Sequence, residues 1–386
     1  KLGLDSNKFF DLPSSVLEEF RSSYNYAREE VKAWNLNLTK KMEDKIFKDK
    51  WMMAINDTLP NINWPSFDSS EDMATRKVWG SVIEALANEK DTLVGGSADL
   101  EPSNVTTGFA NMVKDFNKEN RSGRNFAYGV REFPMGTINN GIAQHTGLKV
   151  FGATFFVFSD YERPAIRLRA LQGLPVISEY THDSIYVGED GPTHQPIEHI
   201  MACRMIPNLL VLRPADANEA VIASKIAFEQ KNKPSLILLT RQKIPVFDRS
   251  VYPSADNLYK GGYTMKKTKS KPDITIFCSG SEVWVGLEVS DMLSEFEVEV
   301  INLSCWELFE EQSDEYKNSV IGNNANLKVS IEAGVTTGWQ KYTGTNGLNF
   351  GIDTFGESAP GKEVANKFGL VPSKIAKKIK NYLTNK

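Results

Sequence analysis

From about residue 69 onward, segments of helical period alternate with short apolar runs, and that alternation restricts the chain to sheets of parallel strands covered by helices. Thr75 to Ala87 carries an amphipathic stripe, and Thr92-Leu93-Val94-Gly95-Gly96 reads as a buried strand ending in glycines. Met135 to Gly147 is helical, Val150 to Phe158 an apolar strand, Pro164 to Leu171 a helix and Pro175 to Tyr180 a strand. Asp216 with Glu219 three residues on forms a capping-box pattern ahead of another helix, and Leu236 to Leu239 closes the series. The polar stretch Arg249 to Lys271 reads as a crossing between domains. A second alternation follows: strands at Asp273 to Cys278, Glu297 to Leu303 and Leu327 to Glu332, and helices at Glu282 to Met292 and Pro372 to Tyr382. The expectation is an α/β protein with two α/β domains, 69–250 and 251–386, whose mainly parallel sheets are covered by helices, with ligands beyond the carboxyl ends of the strands.

Residues 1–68 precede this pattern as a helical connector. They hold Trp34, Trp51 and Trp64 among helix-favouring segments, Tyr26 to Trp34 and Thr39 to Ile55, and no glycine after Gly3, so no phosphate loop. Lys plus Arg 45 against Asp plus Glu 49 leaves −4, too balanced for nucleic acid or an anionic membrane as partner, so any anion must be held locally. No apolar run approaches the roughly 18 residues that cross a bilayer, and Lys1 to Phe10 lacks a signal peptide's apolar stretch. A cytoplasmic protein with three reduced cysteines, Cys203, Cys278 and Cys305, is expected, because none has CxxC spacing.

Two of the four histidines fall in Thr181-His182-Asp183-Ser184 and the nearby Gly188-Glu189-Asp190-Gly191-Pro192-Thr193-His194-Gln195-Pro196. Imidazoles beside carboxylates on a loop shaped by Gly and Pro can exchange protons with a substrate and hydrogen-bond its hydroxyls; a solvated acidic loop is the bland alternative. Glu132, in Val130-Arg131-Glu132-Phe133-Pro134-Met135-Gly136, lies where a strand-like segment meets a helix. Desolvation by Phe133, Pro134 and Met135 would keep a proton available for a ligand nitrogen, whereas a plain helix-start glutamate is the alternative. Phe155, Phe158 and Tyr161 put three rings at a strand end, able to clamp a flat heterocycle or simply to fill a core. Arg76, Ser103, His194 and Arg241 are donors suited to a phosphate or sugar hydroxyl if they meet. His145 shares an apolar stripe with Ile138 and Ile142 and reads as a core histidine, and His199 as supporting structure near the histidine loop.

These residues, in this order and spacing, resemble the transketolase family. The carriers are Gly95 to Asn104 (GGSADLEPSN), Tyr128 to Glu132, Thr181 to Ser184, Gly188 to Pro196, Leu212 to Asp216, Thr240-Arg241-Gln242 and Phe350 to Gly356. The resemblance implies transfer of a two-carbon ketol unit from a ketose phosphate to an aldose phosphate in the pentose phosphate pathway, with thiamine diphosphate as cofactor. It implies that Glu132 bonds the cofactor's pyrimidine nitrogen, that Phe155, Phe158 and Tyr161 line its pocket, and that Asp99 makes a polar contact nearby. His182 and Asp190 would touch substrate hydroxyls, with His182 near the developing oxyanion, while Arg76, Ser103, His194 and Arg241 would clamp the sugar phosphate. Phe133 stands where the family often has histidine. The Gly-Asp-Gly and asparagine of the family's diphosphate and magnesium or calcium site do not occur in the sequence. The resemblance therefore implies a fragment that opens in the interdomain connector, holds no metal ligands and is inactive alone, in a family of homodimers with the active site at the subunit interface. A dihydroxyacetone synthase, a deoxyxylulose-phosphate synthase, or a non-catalytic dimerising module are the other readings, and residues 251–386 match no catalytic position and are assigned to dimer contact.

Overall fold

Where charged helix formers run without glycine, the backbone has little alternative to helix. In this computed structural model, which describes residues 5, 7–10, 12–145, 147–322 and 325–385, the chain forms two units, Lys1–Thr58 and Leu59–Lys386. The first is built from α1 (Ser14–Lys41) and α2 (Lys45–Ile55). The single helix expected over Thr39 to Ile55 is interrupted, because the Asp44 carboxylate accepts hydrogen bonds from Ile46 N (2.8 Å) and Phe47 N (3.3 Å) and caps a new helix. Trp51 lies 6.2 Å from Trp34 and 5.9 Å from Phe47 between ring centroids.

The second unit is organised by five strands buried along their whole length: β1 (Leu93–Ser97), β2 (Lys149–Phe155), β3 (Ile177–Thr181), β4 (Leu210–Leu212) and β5 (Ser235–Leu239). They pair in the order β1-β2-β3-β5-β4, all parallel. Sidedness follows from this. The carboxyl ends share one edge, and each helix that leads into a strand starts at that edge. Helices α3 (Thr75–Glu89), α4 (Glu101–Asn104), α5 (Thr107–Val113), α6 (Glu132–His145), α7 (Ser159–Gln172), α8 (His199–Arg204) and α9 (Ala217–Glu229) complete the domain. One face packs Trp79 against Phe228 (5.9 Å, stacked) and Phe151 (5.4 Å, edge-on), and Trp64 and Phe67 cover the same cluster. The other face packs Phe156, Tyr180 and Leu236.

Several expected boundaries move, each for a local reason. Strand β2 stops at Phe155 and a 3-10 turn over Phe156–Phe158 follows, so Phe158 is not a strand residue. The following helix starts at Ser159 rather than Pro164, with Asp160 and Glu162 in its first turn, and simply contains the proline. His145 is exposed at the end of α6 and is not a core histidine. The buried side of α6 is instead Met135, Gly136, Asn139 and Asn140. Tyr128 donates to Asn139 Oδ1 (2.5 Å) and Asn140 Nδ2 to Ala165 O (3.0 Å), so amides face inward, while of the isoleucine stripe Ile142 packs against the core and Ile138 is exposed. The capping pattern at Asp216 holds, its carboxylate accepting from Glu219 N at 2.8 Å.

The second sheet runs β10-β9-β7-β8-β6. Its strands are β6 (Tyr263–Lys266), β7 (Ile274–Cys278), β8 (Val298–Asn302), β9 (Leu327–Ile331) and β10 (Leu348–Phe350). Only β6 is antiparallel, and it lies inside the stretch read as a crossing; it pairs with β8 alone as the edge strand, with Tyr263 and Met265 buried on one face. Helix α10 (Glu282–Met292) and the helix Pro372–Thr384 cover this sheet. No described helix is long and apolar enough to cross a membrane.

Candidate functional site

Parallel β1, β2, β3 and β5 deliver their following residues to a single edge. Asp99 follows β1, Phe158 follows β2, His182 follows β3 and Arg241 follows β5. Thr75 N donates to Thr240 Oγ1 (3.0 Å) and Thr240 N to Thr75 Oγ1 (2.8 Å). That reciprocal pair fastens the start of α3 to the end of β5 and puts Arg76 and Arg241 at the same edge. Arg76 Nη1 donates to the Ser103 carbonyl at 2.9 Å, so Ser103 supplies a backbone acceptor where a hydroxyl donor was expected.

The rings meet here. His182 stacks on Phe155 at 3.7 Å, Phe155 and Phe158 lie parallel (2°) at 5.8 Å, and Tyr161 is 6.1 Å from Phe158. His194 stands edge-on to Phe158 at 5.6 Å and to Phe155 at 6.5 Å. A flat ring between two others needs about 7 Å between them. Phe155 and Phe158 therefore form a platform and not the expected clamp. Glu132 is buried at the first turn of α6 and has no hydrogen-bond partner among the described residues. One turn on, Met135 and Asn139 fill the space above Gly152, three residues before Phe155, so Glu132 lies toward the same edge as the rings. Of its three flanking residues only Met135 is buried; Phe133 and Pro134 are exposed. Asp99 and Asp190 are exposed and form no side-chain hydrogen bond with another described residue.

His182 is the most constrained member. Its φ of 61° is left-handed, a conformation that costs a non-glycine residue roughly 1–2 kcal/mol and persists only where the surroundings impose it. Burial, then the Arg76 and Arg241 charges and His194, push its pKa down to about 3, so the ring is neutral at physiological pH. A hydrogen-bond chain then holds its Nδ1 side. Leu100 N donates to Ser97 Oγ (3.0 Å), Ser97 Oγ to Asn104 Oδ1 (2.7 Å), Asn104 Nδ2 to Thr181 Oγ1 (2.9 Å), and Thr181 faces His182 Nδ1 at 2.8 Å. Thr181 Oγ1 thus accepts from Asn104 while facing Nδ1, which leaves Nε2 as the ring nitrogen turned away from this chain. Below this, Glu179 on β3 is wholly buried with both carboxylate oxygens unpartnered, and burial holds its pKa well above the carboxylate range. Burial and the neighbouring Arg241 lower the pKa of Arg76, while Glu179 opposes the change.

Residues 251–386, which match no catalytic position and are expected at a dimer contact, brace both histidine loops. Arg213, following β4, is fully buried and donates Nε to Asp183 Oδ2 (2.9 Å), Nη1 to Ser279 O (2.9 Å) and Nη1 to Glu282 Oε2 (2.5 Å). Gln195 Nε2 donates to Gly188 O and Glu357 O, both at 2.9 Å, and Ser358 Oγ to Glu189 O at 2.5 Å. A bidentate Arg204–Glu332 pair, both bonds 2.9 Å, adds a second buried strut. Sequence reasoning missed these residues. The available signal was arginine directly after an apolar strand, since a buried guanidinium demands carboxylates.

A parallel α/β domain with rings, neutral imidazole and guanidinium groups at one strand edge, followed by a second α/β domain with one antiparallel edge, defines a two-domain α/β chain of the pyrimidine-binding type. Residues 71–246 match the transketolase pyrimidine-binding domain and residues 261–371 the transketolase-like C-terminal domain. The transketolase of Aquifex aeolicus is 48% identical over 311 residues, covering 80% of this chain and 45% of that protein. That of Bacillus subtilis is 42% identical over 380 residues, covering 96% and 56%. A crystal structure of Pichia stipitis transketolase in complex with sedoheptulose 7-phosphate superposes with a TM-score of 0.89 at 35% identity, covering 97% of this chain and 56% of that one. Through these two domains the chain belongs to the transketolase family, and it spans about half the length of the relatives it matches.

Proposed function

We propose that this chain contributes the pyrimidine-binding and C-terminal domains of a transketolase, which moves a two-carbon ketol unit from a ketose phosphate such as xylulose 5-phosphate to an aldose phosphate such as ribose 5-phosphate. The observation that carries the reading is the convergence of His182, His194 and the Phe155–Phe158 platform, with Arg76 and Arg241 charged beside them. An aromatic platform and a sheltered carboxyl without a protein partner are what an aminopyrimidine ring requires, so the residues fit thiamine diphosphate. When bound, that cofactor supplies the carbon nucleophile that accepts and releases the two-carbon unit.

The chain's own groups have separable tasks in this reading. Glu132 holds a proton at the pyrimidine ring nitrogen. Phe155, Phe158 and Tyr161 support the ring and exclude water, and Asp99 offers a polar contact at the cofactor's margin. Neutral His182 acts in this reading as the Nε2–H tautomer, donating to the substrate oxygen where negative charge grows, and Asp190 accepts from a substrate hydroxyl. Arg76, Arg241 and His194, with the Ser103 segment, hold the phosphate. The diphosphate and its magnesium or calcium ion fall to an amino-terminal domain, and two copies of this chain assemble with that domain so that each active site lies at a subunit interface in the cytoplasm.

The test is reconstitution. The purified 386-residue chain is expected to turn over poorly with thiamine diphosphate and metal. Adding a separately produced amino-terminal diphosphate-binding domain should restore transfer between xylulose 5-phosphate and ribose 5-phosphate. Efficient turnover by the chain alone, or a stable two-part complex without transfer, would remove this reading.

A further inference from the structure

A histidine and two carboxylates outside this reading sit at the junction of α7 and α8. His199 opens α8 and is 5% exposed, with its ring edge-on to Phe156 at 5.7 Å. Its Nε2 lies 3.1 Å from Asp160 Oδ2 and its Nδ1 3.7 Å from Glu198 Oε2. Neither nitrogen makes a properly directed hydrogen bond, although both are buried. That is unusual, because an unsatisfied buried polar group costs roughly 1–3 kcal/mol. The carboxylates are 60% and 55% exposed and free to reorient, and one ligand atom from each of the three residues already lies within 4.8 Å of the others.

We propose that His199, Asp160 and Glu198 form a site for a divalent cation of borderline softness, with zinc, cobalt or nickel as its natural occupants. Bond lengths of about 2.0–2.2 Å to nitrogen and oxygen separate neighbouring ligand atoms by about 3 Å, which the Asp160–His199 spacing already meets. The imidazole selects these ions over magnesium and calcium, which prefer all-oxygen shells. Two carboxylates supply the charge. The nearby Arg163 forms no ion pair with either carboxylate among the described residues and donates Nη2 to Ala202 O at 3.0 Å. Cys203 is not among the residues whose ligand atoms lie within 4.8 Å of one another, so it falls outside the ligand set. A bound ion would clip the first turn of α7, which carries Tyr161, to the first turn of α8.

The test is titration of the metal-free 386-residue chain with cobalt(II), following its visible absorption, with zinc and magnesium as competitors. One cobalt per chain should bind, displaced by zinc and not by magnesium at equal concentration. Asp160→Asn and Glu198→Gln change exposed side chains and should keep the fold while each weakening binding by about tenfold or more. A His182→Ala/His194→Ala double variant should bind as the parent does. Absence of binding, affinity unchanged in Asp160→Asn, or loss of binding in the double variant would each overturn the site.

Discussion

Replacing Arg213 with methionine keeps the aliphatic stem and removes the guanidinium that joins the two α/β domains. Asp183 Oδ2 accepts from Arg213 Nε at 2.9 Å and lies 2.9 Å from Nη2 as an ion pair, and its other oxygen has no partner. The variant therefore leaves that carboxylate buried with nothing. Glu282 fares better, keeping Ser281 Oγ at 2.7 Å and Ala333 N at 2.9 Å. Breaking a buried pair by removing one partner costs about 3–5 kcal/mol, and the asymmetry here assigns most of it to Asp183. In the variant, folding must draw a proton onto the stranded carboxylate. The folded state then binds more protons than the unfolded one, so stability falls as pH rises, and the deficit should shrink by about half or more between pH 7 and pH 5. Urea unfolding followed by tryptophan fluorescence at both pH values measures this. The triple variant Arg213→Met, Asp183→Asn, Glu282→Gln should recover much of the loss, because neutral groups leave no buried charge. A deficit below about 1 kcal/mol, the same at both pH values, would refute the reasoning.

In reconstituted enzyme, Glu132→Gln should lower turnover by about 10²–10⁴-fold with an unchanged unfolding midpoint, because the amide cannot deliver the proton; near-parent activity would take Glu132 out of the chemistry. His194→Ala should act mainly through a raised KM for phosphorylated sugars, read against a non-phosphorylated acceptor that should be little affected. His182 has its pKa lowered from 6.5 to about 3 by burial, Arg76, Arg241 and His194, so the unfolded chain binds its proton more readily. The stability it confers is present above about 6.5 and is lost as pH falls toward about 3, and His182→Gln should flatten that acid limb in unfolding measurements. Asn104→Leu should release Thr181 from its anchoring bond and change the imidazole nitrogen signals of His182 in NMR, whereas unchanged signals would show that this chain does not hold the ring.

Much of this architecture was legible because buried parallel strands announce themselves as apolar runs, and the carboxyl-edge rule then assigns Phe155, His182 and Arg241 to one place before any coordinate is known. What escaped was set by tertiary context. Val150 to Phe158 reads as one apolar stretch, yet Phe156 is buried in one cluster while Phe158 turns out toward His194, a distinction that periodicity cannot make. Helix α6 shows an apolar stripe of Ile138 and Ile142, but packing against Gly152 favoured the Met135 and Asn139 side and left His145 outside. Arginine at 213 carries no local hint that its carboxylates are 30 and 69 residues away.

Three thiols are sealed in the protein interior: Cys203, Cys278 and Cys305 are buried, and burial raises the pKa of each. Alkylating reagents need a thiolate in contact with solvent, so the folded chain presents them with nothing to attack. Any modification under native conditions must pass through an opening of the surrounding layer. The modification rate at each sulfur thus becomes a clock for local breathing, with Cys203 reporting on the histidine-bearing layer and Cys278 on the centre of the second sheet.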